Sequence, residues 1–269
     1  MSREGRFLGR AAIVAVLLLG AHAATATMID LTDGVQDIWT LNGVRFEWMD
    51  AQATGTGVID SFVEIGGNTN VVQAYNTTVN GVLDNGATDQ FNHSITLGDV
   101  PVVDGYYQFL LDINEAKTDS ERFLSLDEIM IWVGGPANPS TEDITDFGAP
   151  VYDMENGEGN WVALDYSRNP GSGAGDMWLY VPVGYFGGAG DDAIVTLYSM
   201  FGAQGTNPAD YIAAHGAGDY DFRFNNSDGH EEWAVLVEEG IIPEPSTMSL
   251  VGMGMAALGA ARYIRRKRG

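Results

Sequence analysis

Two short runs, Ile38-Trp39-Thr40-Leu41 and Val44-Arg45-Phe46-Glu47-Trp48, stand on either side of Asn42-Gly43. They predict a β-hairpin, because Asn-Gly accepts the two positive φ angles of a type I′ turn and the second run alternates at the two-residue period of a half-buried strand. Eight further strand-like runs follow: Gly57–Ile65, Val71–Tyr75, Tyr106–Ile113, Leu124–Val133, Trp161–Tyr166, Met177–Val183, Ala193–Phe201 and Trp233–Val237. Gly, Asn and Asp punctuate them, with longer loops expected at Gly134–Pro139 and Asn169–Gly175, and Gly alone supplies 35 of the 269 residues. That is well above the usual ~7% and has no collagen period, so a turn-rich fold is favoured. Before the C-terminal tail no segment sustains a 3.6-residue stripe, and only Pro208–His215 predicts a short helical turn.

Nine or ten strands over about 220 residues predict an all-β body, an antiparallel two-sheet β-sandwich of the jelly-roll or lectin-like kind. Its expected core includes Phe62, Phe109, Leu111, Ile129, Ile131 and Leu197. Two smaller sandwiches divided near Pro136–Pro150 are the alternative. The halves show no internal similarity, which favours one domain at 24–242.

The two ends are of another character. Arg3, Arg6 and Arg10 precede an apolar run from Ala11 to Ala21, and Ala21-His22-Ala23 places small residues at −3 and −1 of a cleavage site. Residues 1–23 therefore read as a secretory signal peptide, with Ala24-Thr25-Ala26 as the second choice of site. At the other end Pro243-Glu244-Pro245 stops any preceding element, an apolar stretch runs from Ser246 to Ala261, and Arg262, Arg265, Arg266, Lys267 and Arg268 close the chain. As a helix that stretch is about 24 Å long and barely crosses a bilayer core of ~30 Å. The clustered positive charge sets its orientation, C-terminus in the cytoplasm and body outside.

Pro243, Glu244 and Pro245 with Ser246-Thr247, the Gly/Ala/Leu/Met helix and the Arg-rich tail resemble the PEP-CTERM sorting signal of exported bacterial proteins, here at 243–269. The resemblance implies recognition by an exosortase in the inner membrane and tethering through the helix before processing. It further implies loss of the tail and delivery to the cell surface or extracellular matrix. An ordinary tail anchor is the competing reading. Blocks of the body, Gly55–Phe62, Phe109–Glu115 with Leu124–Glu128, and Glu231–Val235, also resemble PEP-CTERM ectodomains, and that likeness brings no activity with it.

Between Ala24 and Ile242 the only bases are Arg45, Lys117, Arg122, Arg168 and Arg223, against all the acids except Glu4 and Glu244, for a net charge of −30. Such a surface argues against nucleic acid and anionic lipid as partners and suits divalent cations. Cys is absent, so disulfides, thiolate metal sites and Cys nucleophiles are excluded. His93, His215 and His230 have no His-Glu-x-x-His spacing, and no Gly-x-Ser-x-Gly elbow, P-loop or dinucleotide fingerprint is present.

Three kinds of candidate remain. Asp112, Asn114, Glu115, Asp119 and Glu121 follow an apolar strand, and Asp219, Asp221, Asn225, Asn226, Asp228 and Gly229 form a second oxygen-rich segment. Calcium draws its oxygen ligands from such loops, although neither has EF-hand spacing, and a solvated turn is the competing reading for each. Trp161 and Trp178 are candidate sugar-stacking faces, with a place in the core as the alternative. Glu231-Glu232 is the best of many carboxylate pairs for glycoside hydrolysis, but strand neighbours point to opposite faces, so a solvated edge strand is the simpler reading. Asn76-Thr77-Thr78 and Asn92-His93-Ser94 match the glycosylation sequon.

The expected function is that of a non-enzymatic, exosortase-processed surface or matrix protein, with extracellular polysaccharide as a partner. The alternatives are a lectin-like carbohydrate-binding module that uses calcium and a glycoside hydrolase.

Overall fold

The computed structural model describes residues 26–49, 59–67, 69–86, 90–171 and 175–237. The signal peptide, the Pro-Glu-Pro segment, the apolar stretch and Arg265 to Arg268 lie outside the described residues. In chain order the first seven strands are β1 (Met28–Asp30), β2 (Ile38–Leu41), β3 (Val44–Trp48), β4 (Ile59–Ile65), β5 (Val72–Tyr75), β6 (Ile95–Thr96) and β7 (Val102–Val103). The second seven are β8 (Tyr106–Asp112), β9 (Phe123–Val133), β10 (Tyr152–Asp153), β11 (Trp161–Asp165), β12 (Met177–Pro182), β13 (Ile194–Phe201) and β14 (Glu231–Leu236). One short helix, α1 (Ala209–His215), stands where the sequence predicts a helical turn.

The strands form two seven-stranded sheets. The first runs β1-β11-β9-β13-β5, with β10 beside β9 and β6 beside β13; the second runs β2-β3-β12-β8-β14-β4, with β7 beside β8. Strands from before and after Pro136–Pro150 are interleaved in both sheets, so the two halves share them. Pairing is antiparallel except at one edge, where β1 lies parallel to β11 with Met28 opposite Trp161. The expectation of purely antiparallel sheets is corrected there: β1 is distant in sequence from β11, so no tight hairpin dictates its direction.

All ten runs expected as strands contain one, and the four additional strands have only two or three residues each, too short for a period to register. In the β2–β3 turn Asn42 has φ 50° and Gly43 φ 78°, the pair of positive angles that Asn-Gly supplies. In β3 Val44, Phe46 and Trp48 face inward while Arg45 and Glu47 face outward, and the Arg45 guanidinium lies 3.7 Å over the Tyr180 ring.

Both sheets contribute to one buried apolar cluster, as a sandwich requires: Leu124, Ile129, Ile131 and Leu197 from the first, Phe46, Phe62, Phe109 and Leu111 from the second. All six expected core residues are fully buried in it. Each such side chain contributes about 1.5–3 kcal/mol on burial. Trp233 crosses from the second sheet, its indole N–H donating to Ser199 Oγ of the first at 2.9 Å. The outer face of the first sheet is covered as well: Val82, Ile144 and Phe147 join Tyr75, Trp132 and Tyr198 at one end, and Tyr211 and Phe224 join Phe123 and Trp161 at the other. Nearly every residue of β9 is therefore buried, polar ones included.

Candidate functional site

The site lies at one end of the second sheet and follows from strand order. In the sequence of neighbours β12-β8-β14, antiparallel pairing puts the start of β12, the end of β8 and the start of β14 at the same edge. Asp176 immediately precedes β12, Asp112 ends β8 and Glu231 begins β14. Asp112 lies opposite Glu232, and Met177 opposite Leu111, so these acids are gathered by register.

The backbone between Asp112 and Glu115 joins them. The Ile113 N–H donates to Asp176 Oδ2 at 2.8 Å and the next amide, Asn114 N–H, donates to Glu231 Oε2 at 2.9 Å. Glu115 turns the other way, toward the 225–229 loop, where Ser227 N–H donates to its Oε2 at 2.9 Å and the Ser227 hydroxyl donates to the same oxygen. The loop sits tightly on this segment because residue 229 is glycine. Gly229 has φ 70°, and a Cβ there would stand 2.3 Å from the Asn114 carbonyl oxygen.

Burial is nearly complete: Asp176 and Glu231 are 0% exposed, Glu115 3% and Asp112 6%. Glu115, Asp176 and Glu231 each have one oxygen on a backbone donor and a second oxygen, Glu115 Oε1, Asp176 Oδ1 and Glu231 Oε1, that is buried without a hydrogen-bond partner. Asn226 Oδ1, in the covering loop, is in the same condition. Among the described residues the ion pairs of Lys, Arg and His do not reach Glu115, Asp176 or Glu231. Burial raises the Glu115 carboxyl, against the Ser227 hydrogen bonds that favour its charged form. Burial, then the neighbouring Glu115 charge, pushes Glu231 well above the carboxylate range, and burial pushes Asp176 up, with Asp112 adding to it. Beside the cluster a polar cleft of about 930 Å³ opens between Asn70, Arg223, Asn225, Ser227, Asp228 and His230. Chemically the arrangement offers hard anionic oxygens held in place by amides.

The other expected site residues fall differently. Asp119 and Asp221 are exposed, Asp221 bonding only its neighbour Asn207 (2.8 Å), and Asp219 is exposed near the end of α1, so the solvated-turn reading describes these three. Asp228 is exposed at the cleft rim, and Asn114 contributes its amide. The two acidic segments, read separately in the sequence, are stitched together by Ser227–Glu115 and by Arg223–Glu121 at 2.9 Å. Glu231 is not on a solvated edge: β14 is an inner strand between β8 and β4, and its first residue is fully buried. Glu232 turns to the opposite face and accepts from Ser61 Oγ at 3.0 Å.

Trp161 is 1% exposed, with its N–H on Asp210 Oδ2 at 2.7 Å, and Trp178 is 8% exposed within an outer-face cluster with Met49, Leu110 and Tyr180. Both rings are thus packed against neighbouring side chains and too little exposed to offer a face for sugar stacking. The sequon asparagines are structural too. Asn76 accepts from Leu197 N–H at 2.8 Å, and Asn92 accepts from Glu64 N–H at 3.0 Å, both buried.

Sequence reasoning missed Asp176 and placed Glu231 on a solvated edge strand, since no spacing connects positions 112, 115, 176 and 231. It also passed over Asp30, Asp33 and His215, the one group among the described residues whose His and carboxylate ligand atoms lie within 4.8 Å of one another. Those groups are already satisfied: Asp30 takes Thr32 N–H at 2.9 Å on one oxygen and His215 Nε2 on the other, and Asp33 takes Val35 N–H at 2.8 Å.

Residues 242–267 match the PEP-CTERM protein-sorting motif. No curated protein and no solved structure matches the chain. Among the described residues no helix is long and apolar enough to cross a membrane.

Proposed function

We propose that this chain, which carries the PEP-CTERM sorting motif and is thereby an exosortase-targeted exported protein, serves as a non-enzymatic structural or interaction protein of the cell surface or extracellular matrix. The sorting motif at 242–267 is the observation that carries the reading. Its body is a sandwich of the jelly-roll or lectin-like kind spanning 24–242, delivered outward while the C-terminal apolar stretch holds the precursor in the membrane. The strongly acidic surface keeps such a protein soluble once it is released. Intact mass of the protein recovered from outside the producing cells lacks Arg265 to Arg268, and cells without exosortase retain it in the membrane. Recovery of mature protein with its basic tail in place would overturn the sorting half of the reading.

Carbohydrate binding is the second reading, favoured by the polar cleft rather than by the tryptophans. Its Asn, Asp and Arg side chains are of the type that hydrogen-bond sugar hydroxyls. Binding of the exported protein on a glycan array, lost on Asn225→Ala, selects it over a purely structural role. Sugar release from polysaccharide abolished by Glu231→Gln or Glu232→Gln would instead make the protein a glycoside hydrolase.

A further inference from the structure

We propose that Glu115 and Glu231 hold a calcium ion between them, beneath the 225–229 loop, in the field of Asp112 and Asp176. The site stands on its geometry and not on the sorting motif. Each of the two glutamates is fixed by backbone N–H donors on one oxygen, Glu115 by Ser227 and Glu231 by Asn114, while the other oxygen is buried and has no partner. Glu231 is 0% exposed and Glu115 3%, so those bare oxygens are shut off from bulk water.

Two states can relieve such a pair. In the first the carboxyls take up protons, a state that burial favours and that the amide donors on their partner oxygens oppose. In the second state a cation takes the bare oxygens as ligands. All the groups at hand are oxygens, which select a hard cation over zinc or copper, and the neighbouring His230 ring is engaged with Glu64 at 3.4 Å. Magnesium dehydrates reluctantly and demands octahedral geometry, whereas calcium accepts irregular carboxylate and carbonyl ligation, so a nearly dry, asymmetric cluster suits calcium.

No three acids of this cluster bring ligand oxygens within 4.8 Å of one another. Two carboxylates therefore share the ion with amide, carbonyl and water oxygens. Asn226 Oδ1, buried and unpartnered in the covering loop, is available as one of these. The polar cleft lined by Ser227 and Asp228 gives the ion its route in.

The experiment compares thermal midpoints of the purified full chain in millimolar calcium, in magnesium and in chelator, at fixed ionic strength. With calcium about 100-fold above Kd the midpoint rises by about 5–10 °C over chelator, and magnesium gives less. Glu115→Gln and Glu231→Gln each lose the calcium-dependent rise while unfolding in chelator near the wild-type midpoint, because the amide replaces a buried carboxyl of the same size. Asp33→Asn retains the full rise. Equal wild-type midpoints in calcium and chelator would overturn the proposal, as would a rise that survives Glu115→Gln or disappears in Asp33→Asn. Should Glu231→Gln fail to fold, terbium luminescence of the wild-type and Glu115→Gln chains decides: emission displaced by calcium in the former and absent in the latter supports the site, and equal emission from both refutes it.

Discussion

Asp127 and Glu231 are both buried acids, 5% and 0% exposed, each on a strand inside its sheet. Around Asp127 every oxygen is answered by a neutral donor. Ser125 Oγ at 2.8 Å and Ala203 N–H at 2.7 Å reach Oδ2, and Gln204 Nε2 reaches Oδ1 at 2.9 Å. Around Glu231 one amide answers one oxygen, and the remaining neighbours are Glu115, Asp112 and Asp176. The difference shows that burial does not by itself make an acid functional. A carboxylate whose lone pairs are filled by the fold is a structural clamp, and one left among other carboxylates is where the proposed ion would bind.

The comparison is broken most sharply at Asp127. Asp127→Ala strands the Ala203 N–H and the Gln204 amide, leaves the Ser125 hydroxyl to the Phe224 carbonyl, and costs about 3 kcal/mol of stability, and the loss is the same in calcium and in chelator. A loss that calcium repaired, followed by chemical denaturation, would put Asp127 in the same class as Glu231.

Glu128 gives a smaller and opposite effect. Burial, then the charges of Glu155, Asp153 and Asp127, raises its carboxyl to about 7 from 4.5. The folded state thus holds a proton that the unfolded chain has released between those values. Its contribution is full below about 4.5 and is lost as pH rises through about 7. Glu128→Gln removes this dependence and raises stability at pH 8 by about 1 kcal/mol, less than the whole shift implies because water screens part of the site. Unfolding midpoints measured from pH 4 to 8 in chelator check it, and a variant with an unaltered pH slope would show the charges around Glu128 to be relaxed.

The smallest effect belongs to the exposed acids. Asp119→Asn and Asp221→Asn leave both the midpoint and the calcium response unchanged, since these side chains are already in water. A calcium response lost in either variant would extend the ion's ligands out to the surface turns.

Much of the body was legible because its signals are local. The β2–β3 hairpin is written in Asn42-Gly43, and β3 shows its inward and outward faces residue by residue. In β9 the alternation carries less, since Ser125, Asp127 and Glu128 are buried on a face that loops and α1 cover. The candidate site was half visible. Asp112, Asn114 and Glu115 stood in an expected acidic segment, while Asp119, Asp219 and Asp221, equally prominent in the sequence, turned out to be solvated. Trp161 and Trp178 were ambiguous because an indole at strand spacing fits a core or a platform equally well, and only the side chains packed around each ring decide.

The sequence by itself determined the strand segments, the hairpin turn, the acidity of the body and the sorting motif at 242–267, since each depends on neighbours a few residues apart or on composition. Tertiary structure decided which acids meet. Asp176 and Glu231 reach the segment 112–115 only because β12 and β14 flank β8, and because the start of each flanking strand lies at the end of the central one. That register is set by the packing of whole sheets against a common core, between residues 63 and 117 positions apart in the chain, and no local pattern encodes it.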